Sequence, residues 1–77
     1  MTTRAYVLIK TQVGATAAVR ERLRGQPGVE AVDVIIGPYD VIAQVQGADL
    51  NDVGRLVLNT IHGVPGVENT LTCPVVD

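Results

Sequence analysis

Apolar positions along this chain fall into blocks that alternate between two periods. Ala5-Tyr6-Val7-Leu8-Ile9 is unbroken apolar and predicts a first strand, ended by Val13-Gly14. From Thr16 to about Arg24 the apolar positions thin out to Val19 and Leu23, one helical turn apart. Thr16 is placed to cap this helix with its hydroxyl, and Gly25 to end it. Val29 to Ile36 and Val41 to Gln46 read as strands two and three, a hairpin joined by Gly37-Pro38-Tyr39-Asp40. Gly47 breaks the pattern. Asp49 then caps a second helix, Asp52 suits its positive end, and Val53, Leu56, Val57 and Ile61 form its buried stripe. Gly63 stops it, and Val67 to Cys73 is strand four. Pro74 has no N–H to donate, so pairing ends there or continues only at a sheet edge.

The blocks repeat. Pro27-Gly28-Val29-Glu30 returns as Pro65-Gly66-Val67-Glu68, 38 positions later, each time between a helix and a strand. A fixed offset of this kind marks two copies of one supersecondary unit. Two β-α-β halves give a βαββαβ chain. The fold class predicted is α+β: a ferredoxin-like sandwich with both helices on one face of a four-stranded antiparallel sheet.

Alternation then assigns the faces. Val7, Ile9, Val32, Val34 and Ile36 point at the helices. Tyr6, Leu8, Ala31, Asp33, Ile35, Ile42, Gln44, Glu68, Thr70 and Thr72 are expected on the uncovered face. That face is too apolar to stay wet and too polar for a core, which suits contact with a second copy of the chain. Tyr6, Leu8, Ile35, Ile42 and Gln44 are its expected interface residues.

Size points the same way. A chain of 77 residues is expected to be one domain, 1–77. One core of this size supplies only about 3–5 kcal/mol, and small domains add disulfides, metals or oligomerisation. The single cysteine, Cys73, forms no internal disulfide, and with the single histidine, His62, it makes a zinc site an unpromising reading. No metal and no cofactor are expected; oligomerisation remains. A net charge of −2 and a pI of 5.1 give no basic face for nucleic acid. No apolar run approaches the ~18 residues of a membrane span. Met1 to Arg4 is not a signal peptide, and one cysteine fits a reducing, cytoplasmic setting.

Two segments carry a family resemblance. Val34-Ile35-Ile36-Gly37-Pro38-Tyr39-Asp40-Val41-Ile42 and Val64-Pro65-Gly66-Val67-Glu68-Asn69-Thr70-Leu71-Thr72 resemble the hairpin and the last strand of the effector-binding (RAM) domain of the leucine-responsive/asparagine-regulator (Lrp/AsnC) transcription factors. The resemblance covers nearly the whole chain. It implies sensing of an amino acid or related small molecule, and dimers through the sheet face in a dimeric α/β-barrel arrangement. It also implies rings of dimers, commonly octamers, with effectors at contacts between dimers. Full-length family members carry an N-terminal helix-turn-helix. Only Met1 to Arg4 precede strand one here, so a stand-alone version without direct DNA binding is expected; a partner that forms mixed assemblies with full-length regulators is a further reading beside it.

A free amino acid presents an ammonium, a carboxylate and a side chain. Gly37 lets a ligand approach the backbone, and the Tyr39 or Asp40 N–H can receive its carboxylate; Pro38 has none to offer. Asp40 can accept from the ammonium. Tyr39 can wall the pocket, Thr70 and Thr72 can supply hydroxyls, and Glu68 is a weaker candidate. Plainer readings stand beside these: an ordinary tight turn with Asp40 bonding its own backbone, threonines chosen for β-branching, and a solvated Glu68. His62 reads as a helix-end charge, Cys73 as a small buried thiol, and Arg20, Glu21, Arg22 and Arg24 as a solvated surface. No residue is expected to be catalytic. The alternatives are a small dimeric ferredoxin-like monooxygenase or isomerase, and an ACT-like regulatory module.

Overall fold

In the computed structural model, which describes residues 2–76, the unbroken apolar run becomes an inner strand. β1 (Thr3–Thr11) lies between β3 (Val41–Gly47) and β4 (Val67–Pro74), with β2 (Val29–Val34) outside β3. All three pairings are antiparallel. A strand apolar on both faces suits a central position, because it needs cover on both. Ala5, Val7 and Ile9 are fully buried on one face, and Tyr6 and Leu8 lie on the other. The expected ferredoxin-like order is the one observed.

Both helices lie over the same face. α1 (Thr16–Leu23) buries Val19 and Leu23. α2 (Leu50–Leu56) buries Val53 and runs directly into a π-helical turn, Val57–Ile61, which buries Val57 and Ile61. These side chains form one cluster with Ala5, Val7, Ile9, Val32, Val41, Ala43 and Val45. Each fully buried aliphatic side chain is worth about 1.5–3 kcal/mol relative to exposure. The predicted stripe Val53, Leu56, Val57, Ile61 is the one that packs. The widened turn at its end was not expected; it is closed by the His62 N–H donating to the Val57 carbonyl at 2.9 Å. Among the described residues no helix is long and apolar enough to cross a membrane.

The repeated Pro-Gly-Val-Glu sets two equivalent turns. Gly28 and Gly66 adopt φ of 85° and 98°, a region that glycine alone enters freely. Each also lets an element approach: a Cβ on Gly66 would stand 2.7 Å from the Ala15 Cβ, and one on Gly28 would stand 3.1 Å from the Gln46 carbonyl oxygen.

Several local expectations are corrected. Thr16 does not cap α1. It is the first helical residue; Ala15 holds the cap position with no side-chain bond, and the Thr16 hydroxyl goes to Thr11. Asp49 does cap α2, accepting from the Asp52 N–H at 2.9 Å. β2 ends at Val34 rather than Ile36. Val34 faces the helix side but is 53% exposed, and Ile36 is fully exposed. Arg20 is not merely solvated, since its Nε donates to the Val32 carbonyl on the β2 edge at 3.4 Å. Pro74 stays paired, opposite Ala5, because β4 is an edge strand.

Candidate functional site

Asp40 closes the connector between β2 and β3. Its N–H donates to the Ile9 carbonyl and its carbonyl accepts from the Ile35 N–H, both at 2.9 Å. Its carboxylate reaches over to β1, where Oδ2 accepts from the Thr11 N–H at 2.8 Å and from the Thr11 hydroxyl at 3.2 Å. The carboxylate therefore bonds Thr11 rather than its own backbone, although the Ile35 N–H to Asp40 carbonyl bond still closes the connector as a turn. The Thr11 N–H above all holds the Asp40 carboxyl below its ordinary 3.8; desolvation opposes this, while the Thr11 hydroxyl and Lys10 reinforce it. Oδ1 takes no hydrogen bond from the described residues.

The rest of the connector is open to approach. Pro38 is exposed, Tyr39 is half-buried, and a Cβ on Gly37 would meet nothing within 4 Å. An anchored carboxylate beside accessible backbone is an arrangement that can take an ammonium group.

The structure places Thr70 and Thr72 elsewhere than expected. They lie on the helix side of β4, opposite Ile9 and Val7. The cause is a register shift: Lys10 pairs with Asn69 but Thr11 pairs with Val67, leaving Glu68 as the extra residue of a bulge. One extra residue moves every later side chain to the opposite face. Leu71 and Cys73 therefore occupy the uncovered face beside Leu8 and Tyr6, and Cys73 is exposed rather than buried. Leu71 carried no decisive signal, since an apolar residue between two threonines fits either face.

Thr70 is held by His62, whose Nε2 lies 2.8 Å from its hydroxyl, so the imidazole bonds β4 rather than the helix end. His62, Val67, Glu68, Asn69 and Thr70 line a shallow recess of about 220 Å³. This recess and the connector flank β1 from opposite sides, because Val41 and Thr70 both pair with Ile9. Their backbones are thus two strand spacings apart, roughly 10 Å.

The uncovered face carries four of the five expected interface residues. Tyr6 pairs with Gln44 and Leu8 with Ile42. The Gln44 amide donates to the Tyr6 hydroxyl at 3.3 Å. Ile35 lies beyond the last residue of β2, half-buried. Among the described residues no group of three or more His, Cys, Asp or Glu could hold a metal ion.

A family model described as the Lrp/AsnC ligand binding domain matches residues 4–77. The chain belongs to this family. Among its relatives is an uncharacterised HTH-type transcriptional regulator of Pyrococcus furiosus, 33% identical over 73 residues, which are 91% of this chain and 49% of the regulator. A homocitrate synthase of Sulfurisphaera tokodaii is 42% identical over 57 residues, which are 74% of this chain and only 12% of the synthase. The chain thus spans less than half of either relative. A crystal structure of a Thermus thermophilus protein superposes with a TM-score of 0.91 at 31% identity, covering 97% of this chain and 94% of that one. A Neisseria meningitidis transcriptional regulator solved with L-Met shares the fold alone, with a TM-score of 0.84 at 21% identity over 97% of this chain and 50% of that one. The family match and the regulator relatives support a regulatory, effector-binding module.

Proposed function

We propose that this Lrp/AsnC-type domain is a non-catalytic sensor of a free amino acid whose binding site is completed by self-association. The observation that carries the reading is the Asp40 carboxylate, pinned through Oδ2 to Thr11 at the mouth of an open connector. A fixed anion fits the ammonium of an amino acid; the Asp40 N–H, expected to serve the ligand carboxylate, is spent on the Ile9 carbonyl, so that role falls to the Tyr39 N–H, and the Tyr39 ring suits the ligand side chain. A Neisseria meningitidis regulator of the same fold was solved with L-Met, which favours this ligand class.

Gly37, Pro38, Tyr39 and Asp40 are the proposed contacts from one protomer. Glu68, Thr70 and Thr72 stand across β1 from them, about two strand spacings away at the backbone. A second copy would bring its own β4 to the connector. Dimers form through the uncovered face, with Tyr6, Leu8, Ile42 and Gln44 joined by Leu71, and dimers meet at the connectors in a larger ring such as an octamer. A ligand bound between subunits favours the assembly in which its site is whole, to the extent that it binds that assembly more tightly.

Titration calorimetry with the standard amino acids tests this. At least one should bind, and Asp40→Ala should weaken it tenfold or more. Absence of binding by all of them, or an unchanged affinity in the variant, removes the claim.

The homocitrate synthase match favours a second target for the same module, an enzyme in place of a DNA-binding regulator. Co-purification would separate the two: a helix-turn-helix relative in one case, a biosynthetic enzyme in the other.

A further inference from the structure

Thr11 is a buried polar residue, 6% exposed, and it sits where three elements meet. Its hydroxyl lies 3.2 Å from Asp40 Oδ2, at the start of β3, and 2.8 Å from the Thr16 hydroxyl, at the start of α1. The hydrogens can be assigned by elimination. An ionised carboxylate only accepts, so the one hydrogen of the Thr11 hydroxyl goes to Asp40. Thr11 Oγ1 must then accept from Thr16. The chain of bonds runs one way, Thr16 to Thr11 to Asp40.

We propose that Thr16, Thr11 and Asp40 form a hydroxyl relay that positions the Asp40 carboxylate and couples the connector to the first turn of α1. The ligand half of this rests on the effector reading above; the coupling half does not.

Two features support a dedicated role. The Thr16 hydroxyl belongs to the first helical residue, one position past the cap. The cap position, Ala15, makes no side-chain bond, and the hydroxyl is spent on Thr11. A valine at position 11 would fill the same buried volume without needing any partner, yet a threonine is present and fully satisfied. The relay also leaves the carboxylate half-used. Oδ2 holds both Thr11 donors, and Oδ1 takes no hydrogen bond from the described residues. A ligand that pulls the connector would draw Oδ2 away from Thr11. Thr16 would then keep a partner no longer oriented by the carboxylate, and the start of α1 would loosen. Chains of hydrogen bonds polarise one another, so loss at one end weakens the other.

A double-mutant cycle on the full chain tests the coupling without any ligand. Asp40→Ala and Thr16→Val share no direct hydrogen bond, so independent action predicts multiplicative effects on the unfolding constant. The relay predicts a departure from that product of at least about threefold, and a product within measurement error overturns it. A second readout uses the mild variant alone. Thr16→Val should speed amide exchange at Thr11 severalfold, with Thr16→Ser restoring it, while the other amides of the β1–β4 ladder are unchanged. An unaltered Thr11 amide in Thr16→Val overturns the relay even if Asp40→Ala does not fold. If the cycle is non-multiplicative but wild type binds no amino acid, the relay stands and the effector reading falls.

Discussion

Replacing Gly66 by alanine separates backbone strain from packing at the second repeated turn. Gly66 has φ of 98°, and placing an L side chain in left-handed backbone costs about 1–2 kcal/mol. The new Cβ would also stand 2.7 Å from the Ala15 Cβ and 3.2 Å from Val19 Cγ2. Neither neighbour is the far end of a flexible chain, so α1 must move, and overpacking of this kind costs about 1–3 kcal/mol more. The sum, roughly 2–5 kcal/mol, matches everything a core of this size supplies. Gly14→Ala is the internal control. Gly14 has φ of 84° but nothing within 4 Å of an added Cβ, so it carries the strain alone. Urea unfolding followed by circular dichroism, at one fixed protein concentration because association shifts stability, should put Gly66→Ala about 1–3 kcal/mol below Gly14→Ala. Two variants within about 0.5 kcal/mol of each other would refute the packing argument, since that is the spread of unremarkable substitutions.

Other outcomes follow from named contacts. Leu71→Lys places a charge on the uncovered face beside Leu8 and should dissociate the proposed dimer in sedimentation while leaving the fold intact; an unchanged sedimentation coefficient argues against that face as the interface. The Asp40 carboxyl titrates lower when folded, so it adds stability above its ordinary 3.8 that is lost as pH falls through the folded value; Asp40→Asn should flatten the acid limb below about 3.8, and parallel limbs would contradict this. Asp49→Ala removes the α2 cap and should cost about 1 kcal/mol in urea unfolding, with no loss speaking against the cap. Thr70→Val breaks an exposed bond to His62 and should cost no more than about 1 kcal/mol; a larger loss would mean that the bond anchors β4.

Much of the fold was legible because each element has its own period. Val53, Leu56, Val57 and Ile61 pack as their spacing requires, and Tyr6 and Leu8 stand opposite the core as alternation requires. The repeated turns were legible because Gly28 and Gly66 meet a demand that other residues resist. Alternation failed on β4 for a definite reason. Val67 packs toward the core as its apolar character suggests, but the bulge at Glu68 inserts one residue, and Thr70, Leu71, Thr72 and Cys73 all change sides. Nothing in the residue types marks that bulge, because it depends on how β4 aligns with Lys10 and Thr11. The Asp40 bond to Thr11 was hidden for a similar reason: the two residues are 29 positions apart and meet only once β1 and β3 have paired. Residue chemistry picked out Asp40 as an acceptor; the sheet decides what it accepts from.

Native mass spectrometry of the full chain at micromolar concentration, with and without the standard amino acids, tests the central claim most directly. The account predicts dimers or larger assemblies, with a bound amino acid retained by the assembled form and lost from the monomer. A folded, ligand-free monomer under every condition would contradict it.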